Sequence, residues 1–403
     1  MSGEPIYFDQ YDYQIDDNPH PVMRRMRDEA PVWYNEEHDY WAISRFEDVL
    51  KASLDTGTFS SAYKTVLEHM TEEPSPSTMI LNNDPPYHTL MRKLVAPYFS
   101  PAQVSPMEDR VRAIVISYLE PLEGRDAFDF VQDFARWIPM DVVSELLGIP
   151  TEDRRQINLW ADEMLHRDEG QVEDGPLQLA AMDGLMTYFG GLMASRRKQP
   201  QGDLSSAIAN GTLVENGIER RLTDQECAEF LMLIGGAGNE TVARLLASAG
   251  WLLGKHPEQR RTLCENPKLI PRAVEELLRF EAPSPLQFRR VLKDVELHGV
   301  RIPAGSNVCL MTSSAGRDDR QYESPDSFNI ERAPRRHLTF GYGVHTCLGV
   351  SVARLEARVT LAEVLKRFPD WTVDESKMQR VRTSTVRGFS HVPVIVNRPD
   401  GAP

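Results

Sequence analysis

The chain has 403 residues, of which 60 are acidic and 45 are basic, so its formal net charge at pH 7 is −15. That charge argues against nucleic acid as a partner, because the phosphate backbone attracts basic surfaces. Charged residues make up 26% and hydrophobic residues 41% of the chain, which is typical of globular proteins. The longest apolar run, 230–238, is too short to cross a bilayer, and the first residues do not resemble a signal peptide. We therefore expect a cytoplasmic protein with no membrane partner.

The hydrophobic periodicity predicts a mainly α fold with small β-sheets. The predicted helices are, in chain order, 21–29, 46–54, 111–118, 223–253, 270–280 and 350–367, and the stretch of about 86–282 is overwhelmingly helical. The predicted β-runs are 32–34, 40–44, 295–302, 307–312, 371–373 and 392–396. The β-rich parts therefore occupy about 30–45, 288–312 and 371–396.

Two stretches, 60–83 and 166–176, carry few helical signals. Long irregular segments within compact domains are often functional lids, and plain solvated loops are the alternative.

The four cysteines are spaced too widely for a zinc site, an iron–sulfur cluster or a disulfide framework. Cys227, Cys264 and Cys309 lie in apolar patterns of helix or strand type, so we expect them to be small core residues. Cys347 differs, because the segment 340–349 (FGYGVHTCLG) places it among three glycines. Glycine lets a backbone approach a bulky flat ligand, and a cysteine at a helix start has its thiolate favoured by the helix dipole and nearby amides. A buried cysteine in a tight turn is the alternative.

The predicted helix over 223–253 contains three glycines, at 235, 236 and 238. Each costs roughly 1 kcal/mol of helix stability relative to alanine, which indicates that something approaches the helix closely. Glu240 and Thr241 follow directly, and the threonine can open the local hydrogen-bond ladder because it competes for backbone carbonyls.

Two further helices carry paired polar residues. Glu276 and Arg279 stand at i and i+3 on one face and can form an ion pair. His88 and Arg92 stand at i and i+4 after a proline-rich helix start at 84–86, so they project from one face. Two adjacent cations suit a ligand with two carboxylates, and a solvated basic face is the alternative.

Taken together, these motifs resemble those of the cytochrome P450 family. The segment 340–349 is similar to the family's haem-binding loop, residues 237–241 to the motif of its central helix, and residues 276–279 to its Glu-x-x-Arg motif. The resemblance implies a cytochrome P450 fold over residues 1–403, as a single large α-rich haem domain with a minor β-rich region. It also implies haem b as the cofactor, with the Cys347 thiolate as the axial ligand of the iron.

The resemblance assigns the other site residues position by position. Glu240 and Thr241 match the catalytic pair, in which the hydroxyl orients a water and the acid relays protons. The matching haem contacts are His88, Arg92, Ala237, Gly238, Arg289, Phe340, Gly341, Gly343, His345 and Gly349. An alignment shifted by one residue would exchange the roles of Arg289 and Arg290, but the spacing to Asp294 favours Arg289. Position 345 is histidine where many members have arginine. The Glu276–Arg279 pair matches a structural element whose third member is Arg332, Arg335, Arg336 or His337.

The implied reaction is monooxygenation, with O2 and two electrons from external partners, a ferredoxin and a ferredoxin reductase. A basic patch of Arg92, Lys93, Arg335, Arg336 and Arg354 would dock the ferredoxin, and the two irregular stretches would be lids over the substrate pocket. The pocket walls expected from 60–83, 160–188, 230–238, 283–288 and 383–389 are apolar and contain methionines, so we expect a lipophilic small-molecule substrate and a monomeric enzyme. A peroxide-driven peroxygenase and a non-catalytic haem sensor or carrier are the alternatives. The intact Glu240–Thr241 pair speaks against the first, and the absence of an output segment from the sequence speaks against a sensor.

Overall fold

The computed structural model describes residues 4–397 except positions 76, 216, 333, 335 and 384, so Arg335 lies outside the described residues. The α-helices are α1 Tyr13–Asp17, α2 His20–Glu29, α3 Phe46–Leu54, α4 Tyr87–Val95, α5 Pro101–Val104, α6 Glu108–Leu119, α7 Trp137–Leu147, α8 Arg154–Leu165, α9 Pro176–Lys198, α10 Leu204–Asn210, α11 Asp224–Lys255, α12 Pro257–Glu265, α13 Ile270–Phe280, α14 Thr312–Gly316 and α15 Val350–Arg367. A π-helical turn, Val131–Ala135, precedes α7. The predicted mainly α fold with small sheets is confirmed.

The strands are β1 Val32–Asn35, β2 Tyr40–Ile43, β3 Phe59–Ser60, β4 Ala127–Asp129, β5 Thr212–Glu215, β6 Ile218–Arg221, β7 Gln287–Val291, β8 Val295–Leu297, β9 Val300–Ile302, β10 Asn307–Leu310, β11 Trp371–Val373, β12 Gln379–Arg380, β13 Phe389–His391 and β14 Pro393–Val396. The largest sheet has the order β1-β2-β10-β7-β3, with β2 and β10 parallel and the other neighbours antiparallel. A second sheet has the order β11-β14-β4, and the pairs β5–β6, β8–β9 and β12–β13 form small two-stranded sheets.

The long helix α11 runs through the main hydrophobic core, where it packs against α7, α8, α9 and α15. It begins at a capping box, in which the Thr223 hydroxyl accepts from the Glu226 amide (3.2 Å) and the Glu226 carboxylate accepts from the Thr223 amide (2.7 Å). At 32 residues the helix is about 48 Å long. Its middle therefore lies deep in the protein, and that is where the residues 237–241 are placed.

Two parts of the predicted secondary structure were wrong in detail. The stretch 86–282 was expected to be helical, but it contains β4 and the β5–β6 hairpin. The predicted run 295–302 is two strands, since His298 and Gly299 have positive φ and turn the chain between β8 and β9.

Cys227 and Cys309 are buried, and Cys264 is partly buried, as expected for core residues. No helix within the described ranges is long and apolar enough to span a membrane.

Candidate active site

The loop before α15 is shaped by two glycines with left-handed backbone. Gly341 and Gly343 have φ of +66° and +72°, and a Cβ on Gly343 would lie 3.0 Å from the carbonyl oxygen of Ser53. The Cys347 amide donates to the Phe340 carbonyl (2.7 Å), which closes the loop. The loop ends at Gly349, directly before α15. The sequence therefore forms a tight turn that presents the cysteine just ahead of a helix N-terminus.

The side chain of Cys347 is accessible from the space beside the loop, but many protein atoms lie around it, and the resulting desolvation raises the pKa of its thiol. The Gly349 amide, which hydrogen-bonds the sulfur, and the charges of Arg92 and Arg354 lower that pKa in part. The helix start and its amides were expected to favour the thiolate, but in the protein alone burial outweighs them. A metal cation reverses this balance, because a thiol that coordinates a metal is deprotonated.

Four basic residues, His88, Arg92, Arg289 and His345, form a group that we call the basic cluster. The rings of His88 and His345 lie 4.5 Å apart, and Arg92 donates to the Val344 carbonyl (3.2 Å) in the cysteine loop. Burial and the charges of Arg289, His88 and Arg92 lower the pKa of His345 to about 2. Burial likewise lowers the pKa of Arg289 to about 10.

The basic cluster fits the two carboxylates of a haem group. Both ring nitrogens of His88 are buried and have no hydrogen-bond partner among the described residues. The nearby acid, Asp84, accepts hydrogen bonds from the Ser60 hydroxyl (2.5 Å) and the Ser61 amide (2.9 Å). Within the basic cluster, burial and neighbouring basic groups lower the pKa values of His88 and His345. Such a group of basic residues suits two buried anions, and the propionates of haem are two such anions. With the thiol of the adjoining loop, the residues present fit haem b.

The structure separates the two candidate arginines of β7, because neighbouring strand residues point to opposite faces. Together with burial, the charge of Arg289 lowers the pKa of His345, and the charge of Asp84 opposes the lowering of the Arg289 pKa by burial. Arg290 instead donates to the carbonyls of Gly305 (2.5 Å) and Thr71 (2.6 Å), which ties β7 to the stretch 60–83. Arg289 is therefore the arginine that belongs to the basic cluster.

Ala237 is the only exposed residue of 227–250, although this part of α11 lies in the core. Gly238 and Thr241 are partly exposed, so the same edge of the helix borders an internal space. The helix is continuous through the motif, which corrects the expectation that the threonine opens the ladder. The Thr241 hydroxyl instead donates to the Ala237 carbonyl (2.9 Å), one turn earlier.

Glu240 belongs to a buried polar network next to that edge. Its Oε2 accepts from Nε (3.0 Å) and Nη2 (2.5 Å) of Arg244, and both side chains are buried. Burial alone would raise the pKa of Glu240, but Arg244 and a hydrogen bond from Asp162 hold it below its ordinary value. These partners of Glu240 were not predicted from the sequence. Arg244, at i+4 from Glu240, carried a local signal, whereas Asp162 on α8 carried none.

The Glu276–Arg279 pair is fully buried and bidentate, with hydrogen bonds of 2.7 and 2.8 Å. Arg332 is its third member, since its Nε donates to the Glu276 carboxylate (3.1 Å). The other described candidates lie elsewhere: His337 contacts Glu275 (3.0 Å), and Arg336 lies over the ring of Tyr342.

The family model for cytochrome P450 matches residues 191–393. The putative cytochrome P450 123 of Mycobacterium tuberculosis is 40% identical over 398 residues, which cover 98% of this chain and 98% of that protein. This chain belongs to the cytochrome P450 family.

The architecture of this P450 is also that of solved relatives. The testosterone complex of CYP109E1 from Bacillus megaterium matches with a TM-score of 0.87 and 30% identity, over 96% of this chain and 99% of that one. A mutant of P450 EryK in complex with erythromycin B matches with a TM-score of 0.87 and 32% identity, over 96% and 99% of the two chains. Cytochrome P450s are haem-thiolate enzymes, so this P450 is a monooxygenase that acts on small molecules, and its cofactor is haem b held by a cysteine thiolate.

Proposed function

We propose that this P450 uses O2 and two electrons from separate redox proteins to hydroxylate a lipophilic small molecule. The basic cluster beside the cysteine loop carries the proposal, because it gathers four basic groups around a place for two carboxylates. These residues come from α4, β7 and the loop before α15, and we propose that residues 1–403 form one haem domain that acts as a monomer.

The proposed roles follow from where each residue lies. Cys347 ligates the iron, and His88, Arg92, Arg289 and His345 hold the propionates. Phe340, Gly341, Gly343 and Gly349 shape the cysteine loop, and Ala237 leaves room for a flat group beside α11. Gly238 adjoins Ala237, but a Cβ there would lie 3.1 Å from Val143 on α7, so its lack of a side chain serves the packing of the two helices. Haem, when bound, activates O2 and inserts one oxygen atom into a substrate C–H bond.

Glu240 and Thr241 are proposed to supply protons at this site. The hydroxyl of Thr241 lies on the exposed edge of α11, and Glu240 adjoins it in the sequence, with its Oε2 held by Arg244. Because Arg244 occupies Oε2, the other oxygen, Oε1, is the one that can take up and release a proton.

A lipophilic substrate is supported by the apolar side chains around this part of α11. Leu231 and Ile234 are buried there, and a Cβ on Gly236 would lie 3.5 Å from the Met164 methyl group on α8. The solved structures of two relatives are complexes with testosterone and with erythromycin B. Phe389 does not fit the expected pocket wall. It packs on Trp251 (5.1 Å between ring centroids), ten residues or about 15 Å along α11 from Thr241.

We propose that a ferredoxin docks on the basic residues around the cysteine loop. Lys93 and Arg336 are exposed, and the Arg354 side chain is 42% exposed. At low ionic strength, a Lys93→Glu/Arg336→Glu variant should take its first electron at least about tenfold more slowly than wild type, and the difference should shrink with added salt. Lys377→Glu, at an exposed site among the C-terminal strands, is the control. Equal rates for all three proteins at low salt would rule out this docking surface.

The experiment that tests the proposed function follows the oxygen atom. The purified haem protein is supplied with NAD(P)H, a ferredoxin and its reductase, a library of lipophilic compounds and ¹⁸O2. We expect one ¹⁸O atom in the product. Product formed only with added peroxide would indicate a peroxygenase, and substrate or gas binding without turnover would indicate a carrier or sensor. Either result would contradict the proposal.

A further inference from the structure

A second acid, Asp162 on α8, lies against Glu240 on α11. Arg244 lies near both, since its Nη2 is 2.5 Å from Glu240 Oε2 and 3.9 Å from Asp162 Oδ1. Arg136, just before α7, donates to Asp162 Oδ2 and to the Asn158 side chain, one turn earlier on α8 (3.0 Å). Two arginines and two acids from three helical regions therefore meet beside the proposed proton donor.

Asp162 Oδ1 is buried and has no hydrogen-bond donor among the residues that the structure describes. Two carboxylates that share a buried site do not both ionise readily, so a proton between them satisfies this oxygen. Burial and the adjacent Glu240 raise the pKa of Asp162 to about 8, although Arg136 and Arg244 act in the opposite direction. At pH 7 the proton therefore resides on Asp162, which donates it to the ionised Glu240.

The two acids differ in their access to solvent. The Asp162 side chain is 30% exposed, whereas that of Glu240 is only 4% exposed. The surrounding amides have spare hydrogen-bonding capacity, since Asn158 Nδ2 and both polar atoms of the Asn239 side chain are buried without a partner among the described residues. Buried polar atoms of this kind are commonly satisfied by ordered water.

We propose that Asp162 holds the proton that recharges Glu240, and so connects the proton donors of the active site with solvent. This inference rests on the proposed function. In each transfer the O–H bond of Asp162 breaks and one forms on Glu240, which leaves Asp162 as a carboxylate paired with Arg136. A solvent proton then restores Asp162, and the proton on Glu240 moves on towards Thr241. Asp162 acts through Glu240 and is therefore a positioning residue.

Infrared spectroscopy of the haem-loaded protein tests where the proton resides. In wild type we expect the carbonyl absorption of a protonated carboxylic acid that disappears with a midpoint near pH 8, and this absorption should be absent from Asp162→Asn. Asp162→Glu, which keeps a carboxyl group, should restore it. Glu163→Gln changes the next acid on α8, about 100° around the helix, and should leave it unchanged. Burial also raises the pKa of Glu356 well above its ordinary value, so its absorption is common to all four proteins. A step near pH 8 that persists in Asp162→Asn would overturn the proposal.

Turnover of the same proteins tests whether that proton is used. Asp162→Asn should form product about tenfold or more slowly and release more hydrogen peroxide, while its carbon monoxide spectrum stays that of a thiolate-ligated haem. Loss of the infrared absorption with unchanged product and peroxide yields would refute the relay and leave the proposed function standing. Failure of the proposed function itself would appear differently, as a wild-type protein that forms no product from O2 and NAD(P)H or forms it only with added peroxide.

Discussion

Gly250 is required on α11 because of its neighbour and not because of its backbone conformation. A Cβ at this position would lie 2.7 Å from the Phe130 ring, within the core. Gly190 on α9 is a matched contrast, since a Cβ there would meet no atom within 4 Å. A comparison of alanine substitutions at these two positions therefore separates the cost of crowding from the gain in helix propensity.

We predict that Gly250→Ala lowers the free energy of unfolding by about 1–3 kcal/mol, because Phe130 must shift. Gly190→Ala should instead raise it by up to about 1 kcal/mol. Thermal or denaturant unfolding of the three proteins measures both effects. Equal effects of the two substitutions would show that α11 and Phe130 do not pack as described.

Glu275 supports the cysteine loop from α13. Its carboxylate accepts from Arg354 (2.7 Å) and from His337 (3.0 Å), and both of these residues lie beside the ring of Phe340. Burial alone would raise the pKa of Glu275, but His337 and Arg354 lower it from 4.5 to about 2. A carboxylate whose pKa is lowered on folding stabilises the folded state above its unfolded pKa and loses this effect as the pH falls.

We therefore predict that Glu275→Gln costs about 3 kcal/mol of stability near pH 7, as expected for a pKa difference of that size. The cost should stay constant down to about pH 4.5 and shrink as the pH approaches 2. Unfolding free energies of both proteins across this range provide the measurement. A difference that does not change below pH 4.5 would mean that the ion pairs of Glu275 are not formed.

At the scale of single residues, the sequence predicts those site residues whose role depends on residues next to them in the chain. Cys347, with Gly341 and Gly343, could be predicted because one short loop holds them all. The spacing to Asp294 favours Arg289 over Arg290 in the sequence, but the strand face that each occupies depends on the pairing of β7 with β10 and β3. Asp162 could not be found, because its contact with Glu240 joins residues 78 positions apart on separate helices.

At the scale of elements, the Asp174 carboxylate connects the two stretches that were predicted to be lids, 60–83 and 166–176. Asp174 accepts from Arg167 (2.6 Å) within 166–176, and it pairs with His69 (2.9 Å) in 60–83. Arg167 also lies 3.5 Å from Glu68. This contact couples the two stretches, so loosening one is expected to loosen the other.

We predict that Asp174→Asn increases amide hydrogen exchange in both 60–83 and 166–176 by about fivefold, for a loss of about 1 kcal/mol. Asp168→Asn is the matched control, because Asp168 is 83% exposed and its described ion pair joins it only to His166 in the same stretch. Exchange that rises in one stretch alone would show that Asp174 does not couple them.

Helices with clear boundaries were predicted accurately, and α3 and α13 have the predicted bounds. The short strand β4 was missed because it is three residues long and pairs with β14, far along the chain. The β5–β6 hairpin did carry a local signal, the Asn-Gly dipeptide at 216–217, which favours a hairpin turn.

At the scale of the whole molecule, one buried acid joins distant parts of the chain. Glu281, after α13, accepts from Arg317 (3.0 Å) and Arg387 (2.5 Å) and contacts His20 at the start of α2 (3.2 Å). Burial alone would raise the pKa of Glu281, but these partners hold it well below its ordinary value. The contacts span more than 350 residues and hold the N-terminal and C-terminal parts against the middle of the chain, an arrangement that no local pattern predicts.

The central claim is that Cys347 ligates a haem iron beside the basic cluster. The most direct measurement is the visible difference spectrum of the dithionite-reduced protein with and without carbon monoxide. We predict a strongly red-shifted Soret band in wild type and its loss in Cys347→Ser. A wild-type band at the shorter wavelength of histidine-ligated haem, or a purified protein that takes up no haem, would contradict the claim.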